Sequence, residues 1–121
     1  KIDGMFVQAD IAAVGALNAC KELGVRVPED IPLVGYDDIR LARLINPALT
    51  TVHQPHRRIV REACRRLVEM LSDREAREPL QRTVAPWLVV RESAPEISSV
   101  PTQDEPNNPF QSEDYNDGAE E

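Results

Sequence analysis

Residues 31–38, Ile-Pro-Leu-Val-Gly-Tyr-Asp-Asp, constrain the fold more than any other stretch of this chain. A short apolar run, Ile31 to Val34, meets Gly35 and delivers an aromatic, Tyr36, and two carboxylates, Asp37 and Asp38. A buried strand that ends in polar side chains is how an open parallel α/β sheet builds a ligand site. The segments on either side are consistent with this. Residues 4–9 form a second short apolar run, read as a strand, and Asp10 follows where a helix N-cap belongs. Ala13, Leu17, Cys20 and Leu23, joined by Ala16, then recur at helical spacing, with Asn18, Lys21 and Glu22 on the other side. Gly24 suits the left-handed residue that closes a helix.

Strand, helix, loop (25–30, with Pro28) and strand (31–35) make a βαβ unit, so the two strands run parallel and end on one edge of the sheet. Asp10 is thereby brought near Asp37 and Asp38. Beyond them, 40–45 reads as a short helical turn stopped by Asn46-Pro47, and 49–53 as a strand rich in extended-favouring residues. A helix is expected over 56–71, where Ile59, Ala63, Leu67 and Leu71 form a stripe widened by Val60, Cys64 and Val68. Its five arginines, Arg57, Arg58, Arg61, Arg65 and Arg66, interleave with Glu62 and Glu69 as a solvated face would. Residues 72–78 read as a charged loop and 82–91 as an extended segment, with Pro86 marking an edge or a break.

Charge is unevenly spread. Residues 92–121 hold 9 of the 21 acidic residues and none of the 14 basic ones, so residues 1–91 carry 14 basic against 12 acidic groups, a net of +2. A near-neutral body with an acidic tail lacks the clustered positive charge that phosphate contacts need, which argues against nucleic-acid binding by this chain as it stands. Residues 95–121, rich in Pro, Ser, Asn and acids, bury too little apolar surface to order themselves, so 1–94 is expected as the domain and 95–121 as a disordered tail. No apolar run is long enough to span a bilayer. Cys20 and Cys64 read as small core residues of a reducing compartment rather than as a disulfide. The opening Lys1, running directly into a strand, reads as the start of a fragment.

Three readings of Asp37-Asp38 stand on spacing alone: carboxylates accepting from ligand hydroxyls, a structural loop, or acid–base catalysis. No nucleophile, metal-ligand spacing or glycine-rich phosphate loop accompanies the pair. His53 and His56 straddle Pro55 without further ligands, and Ser93 lacks a nucleophile elbow. No catalytic residue, metal or cofactor is therefore expected.

Six motifs occur in order over residues 4–94: Phe6-Val7-Gln8-Ala9-Asp10 running into Ala13–Leu17; Gly24-Val25-Arg26-Val27-Pro28-Glu29-Asp30-Ile31; Val34-Gly35-Tyr36-Asp37-Asp38; Pro47-Ala48-Leu49-Thr50-Thr51-Val52; Gln54-Pro55; and Leu88-Val89-Val90-Arg91-Glu92-Ser93. Together they resemble the carboxyl-terminal part of the effector-binding domain of LacI/GalR-type bacterial transcription regulators. The resemblance implies a partial periplasmic-binding-protein-like α/β fold, a parallel sheet with flanking helices, from a cytoplasmic regulator that is not an enzyme. It implies a small-molecule effector, sugar-like or purine-like, a homodimer, and operator DNA contacted only through a headpiece that this chain does not contain. By position it makes Asp37, Asp10, Gln54, Tyr36 and Asp38 the ligand residues and places Val14, Leu17, Asn18, Leu41, Leu44 and Ile45 at a dimer interface. Ala9 departs from the family's usual Asn, which removes one hydrogen-bonding side chain from the site. The alternatives are a fragment of a periplasmic sugar-binding protein, which an upstream signal peptide would support, and a degenerate product without activity.

Overall fold

The computed structural model describes residues 2–72 and 81–95. The elements in order are β1 (Met5–Phe6), α1 (Asp10–Glu22), β2 (Leu33–Asp37), a 3₁₀ turn (Arg40–Arg43), β3 (Thr50–His53), α2 (His56–Ser72) and β4 (Trp87–Val89). They form one four-stranded sheet in the order β1-β2-β3-β4. β1, β2 and β3 are parallel, and β4 runs antiparallel to β3. The mixed, parallel-dominated α/β architecture is the one expected. The tail beyond Pro95 and most of the 72–78 loop lie outside the described residues.

Boundaries shift for identifiable reasons. The strand expected over 31–35 runs instead from Leu33 to Asp37, because Pro32 has no N–H for the ladder while Asp37 still pairs with His53. β1 keeps only two residues of the expected 4–9 run. The extended segment 82–91 narrows to Trp87–Val89, an edge strand that starts just after Pro86.

Helix α1 closes as Gly24 predicts. Gly24 has φ +69°, its N–H donates to Lys21 O, and Val25 N–H donates to Cys20 O at 2.8 Å, which is the Schellman pattern. Its inner face is Ala13 and Cys20, with Ala16 and Leu17 half-buried. Leu23, expected on that face, is exposed because the helix has already ended. The opening of α1 differs more. Ala9, not Asp10, is the N-cap: it is extended, and its carbonyl accepts from Ala12 N and Ala13 N, both at 3.0 Å. Asp10 is the first helical residue, and its side chain makes no cap hydrogen bond.

The Asp10 side chain turns into the core and is fully buried. Oδ1 accepts from Thr51 Oγ1 at 2.6 Å and Oδ2 from Ile39 N at 3.0 Å. This seats the carboxyl group directly over β2 at Gly35, where a Cβ would stand 2.2 Å from Asp10 Oδ1 and 2.9 Å from Leu49 Cδ2. Glycine is needed here for close approach, not for backbone freedom.

The amino edge of the sheet is held by Ser93. Its amide donates to Ala48 O, its carbonyl accepts from Leu33 N, its hydroxyl donates to Leu33 O at 2.6 Å, and Oγ accepts from Thr50 N at 2.8 Å. One buried residue thus takes the ladder groups of β2 and β3 that no strand neighbour satisfies.

Helix α2 has no buried residue; Ile59, Val60, Leu67, Val68 and Leu71 are all exposed, as is Cys64. The amphipathic pattern of α2 is therefore present without a surface among the described residues to cover it, and Cys64 is exposed rather than in the core.

Gly35→Ala is expected to lower stability by about 3 kcal/mol, through overpacking and displacement of the Asp10 carboxyl. Urea unfolding of the variant beside the parent chain measures this.

Candidate functional site

The site is the carboxyl edge of the parallel strands, where β2 ends at Asp37 and β3 at His53. The backbone bends sharply there. Asp37 has φ +111° and Asp38 φ +54°, two consecutive non-glycine residues in the left-handed half of conformational space. Aspartate tolerates the left-handed region better than most residues, but such a pair still costs on the order of 1–3 kcal/mol per strained residue and persists only when its surroundings hold it.

Three side chains hold it. Gln54 Nε2 donates to Asp37 Oδ1 at 2.7 Å. His53 Nδ1 lies 2.8 Å from Asp38 Oδ2, and Arg91 Nη2 donates to Asp38 Oδ1 at 2.6 Å. Arg91 is fixed in turn by Nη1, which donates to Leu49 O at 2.8 Å. The Asp38 side chain is only 8% exposed and that of Arg91 15%. Burial alone would raise the pKa of Asp38, but the hydrogen bonds from Arg91 and His53 and their charges outweigh it, so the carboxyl is held below its ordinary value. His53 stacks on Trp87 of β4, with ring centroids 4.2 Å apart and planes at 26°. Register accounts for the stack, since His53 pairs with Asp37 on one side and with Trp87 on the other.

The residues expected at the site are thus separated into roles. Asp37, Asp38 and Gln54 come together at the strand ends. Tyr36 is half-buried and meets Phe6 edge-to-face, centroids 6.4 Å apart. Asp10 is corrected from a lining residue to a foundation: both oxygens are taken and no part of it reaches solvent. The six positions assigned to a dimer interface lie on α1 and on the 3₁₀ turn and its exit, two elements in mutual contact. Leu17 and Ile45 also pack on the core, Val14 is half-buried, and Asn18, Leu41 and Leu44 are exposed. Among the described residues, no group of three His, Cys, Asp or Glu side chains is placed to hold a metal ion. No helix among them is long and apolar enough to cross a membrane.

Sequence reasoning missed Thr51, Arg91 and the role of His53. Thr51 reads as an ordinary strand residue, and only the buried carboxyl it serves explains it. Arg91 sits in a motif but 53 positions from its partner Asp38, a separation no local pattern can span. His53 carries no local signal beyond its spacing from His56.

The family model of the periplasmic binding protein-like domain matches residues 1–94. The chain belongs to that family. The HTH-type transcriptional repressors PurR of Yersinia enterocolitica and Yersinia pestis are each 47% identical to it over 90 residues, which cover 74% of this chain and 26% of the repressor. Solved LacI-family structures superpose on this periplasmic-binding-protein-like domain. A transcriptional regulator CelR–cellobiose complex does so with TM-score 0.72 and 38% identity, over 76% of this chain and 28% of that one. A lac repressor dimer bound to operator and the anti-inducer ONPF gives TM-score 0.70 and 31% identity, over 77% and 32%. A LacI-family regulator from Enterococcus faecium with bound ribose gives 0.69 and 28%, over 78% and 35%. The chain spans about a quarter of the length of the curated relatives it matches.

Asp38 sets an acid limit. Its pKa is lower folded than the 3.8 of an unconstrained aspartate, so its contribution to stability is complete above that value and is lost as pH falls through the folded one. Between pH 5 and pH 3 the parent chain should therefore lose more stability in urea unfolding than Asp38→Asn does, since the variant starts without this contribution.

Proposed function

We propose that this chain forms one wall of the effector site of a LacI-family transcription regulator, with Asp37 as the ligand-contacting carboxylate and Gln54 beside it. One observation carries the reading: the strained Asp37 bend at the carboxyl edge of a parallel sheet, with one oxygen bonded by Gln54 and the other, Oδ2, taken by no side chain among the described residues. A fixed carboxylate with a free oxygen accepts from ligand hydroxyls, and hydrogen bonds to a charged acceptor are the stronger kind. A sugar-like polyol fits this chemistry better than an anion, which the carboxylate would repel. The cellobiose and ribose bound by two structural relatives support the same class.

Asp38 and Asp10 support the site from below, and Tyr36 borders the adjoining sheet face. Binding between this wall and a second one, supplied outside the residues of this chain, would change how the regulator meets DNA. Dimerisation would use Val14, Leu17, Asn18, Leu41, Leu44 and Ile45, and DNA would be contacted by a headpiece elsewhere in the protein. The relatives are transcriptional repressors and regulators, which supports a cytoplasmic regulator over a periplasmic sugar carrier and gives no support to an enzyme.

The test is NMR titration of the chain with ribose and with cellobiose. Resonances of Asp37, Asp38 and Gln54 should move. Asp37→Ala should weaken binding by about 10- to 150-fold, the equivalent of losing one hydrogen bond to a charged group at ~1.5–3 kcal/mol. Unchanged affinity in the variant, or no response to either sugar, would remove the reading.

A further inference from the structure

The ligand reading leaves Arg91 unused, although its side chain reaches the bend at the carboxyl edge. Both terminal nitrogens point into the chain, one to Leu49 O and one to Asp38 Oδ1. Asp38 sits next to Asp37 in the left-handed bend, and its other oxygen is taken by His53. His53 is braced by Trp87, which belongs to the same edge strand from which Arg91 departs. The result is a closed mechanical loop, running from β4 through Arg91 to Asp38, then to His53 at the end of β3, and back through Trp87 to β4. Asp38 is the point where this loop grips the bend.

We propose that Arg91 is the positioning residue of the site: by clamping Asp38 it fixes the left-handed bend that aims Asp37, and so sets ligand affinity without touching ligand. Three features argue for it. Left-handed aspartates relax unless held, and these two are consecutive. The clamp is almost wholly buried, so solvent screens it little. Arginine is also suited to the task, because its planar fork joins a backbone carbonyl and a carboxylate at once, a geometry the single nitrogen of lysine cannot reproduce. Asp38 is then the handle of the bend rather than a second ligand group. The inference rests on the effector-site reading for its effect on affinity, and on the bend alone for its structural part.

The experiment uses the whole 121-residue chain with ¹⁵N labelling, titrated with ribose and with cellobiose, and the variants Arg91→Met, Arg91→Lys and Asp38→Asn. Melting curves and circular dichroism report folding. If releasing the clamp leaves about a tenth of molecules with the bend in place, apparent sugar affinity falls about tenfold in Arg91→Met. Arg91→Lys should recover part of that loss, since it restores charge to Asp38 but not the fork. In Arg91→Met the amide resonances of Asp37 and Asp38 should shift while those of Ala13 and Leu17 in α1 stay. A merely structural arginine would lower the melting temperature and leave the sugar affinity of the folded fraction unchanged, and that result overturns the proposal. If the parent chain binds neither sugar, the effector-site reading fails by itself; the amide shifts then decide the clamp, with unmoved Asp37 and Asp38 signals overturning it and moved ones upholding it. Should Arg91→Met not fold, Arg91→Lys and Asp38→Asn give the same readouts with smaller changes in shape.

Discussion

The fold depends on the buried carboxyl group of Asp10. It joins the first turn of α1 to β3 through Thr51 and to the chain leaving β2 through Ile39, and it crosses β2 where Gly35 leaves room. Three elements distant in sequence are fixed to one another by a single side chain. Leaving such a buried acceptor without its donors costs roughly 1–3 kcal/mol per bond, and more where charge is involved, so each partner is strongly constrained. Gly35 is constrained for a different reason: any side chain there would occupy the volume the carboxyl fills.

Both edges of the sheet are tied by side chains from the final segment of the domain. Ser93 closes the amino edge by replacing strand neighbours, and Arg91 reaches the bend at the carboxyl edge. Thr50 links the two ties, since its hydroxyl accepts from Arg91 N at 2.7 Å and lies 3.0 Å from the carbonyls of Arg91 and Ala94. The bend is thus fixed by the protein's own side chains. Strain at Asp37 and Asp38 is maintained by contacts that themselves stand on the ordered backbone of residues 91–94.

The sequence made the βαβ unit, its parallel strands and the Schellman end of α1 legible because each rests on local signals: apolar runs, helical spacing and one glycine. It also placed Asp37 and Gln54 at the strand ends. The register of β2 was less legible, since the apolar run stops at Val34 while the ladder continues through Gly35 and Tyr36 to Asp37. The role of Asp10 was misread because a helix-opening aspartate looks the same whether it caps the helix or serves the core. What separates the two cases is Thr51, 41 residues away, and the missing side chain of Gly35. The Arg91 clamp was not legible at all, because hydrogen bonds between distant side chains leave no periodicity.

These polar contacts matter more here than in a larger domain. Among the described residues the buried apolar side chains are few: Ala13, Cys20, Leu33, Ala42 and Leu49. The large apolar residues of α2 stand in solvent, as do Phe6 and Leu88 on the sheet. Burying a leucine or phenylalanine contributes ~1.5–3 kcal/mol, so a core with only two leucines supplies little of what folding requires. Parallel sheets ordinarily have both faces covered; among the described residues α1 packs on one of them. The buried network of Asp10, Thr50, Thr51 and Ser93 therefore does more than choose one register among several: it specifies the arrangement that a thin core alone would leave loose. The side chains that bond Asp10 and Asp38, namely Thr51, His53 and Arg91, stand outside α2, and that helix meets the site at its first turn, where His56 N–H donates to Gln54 O at 2.8 Å.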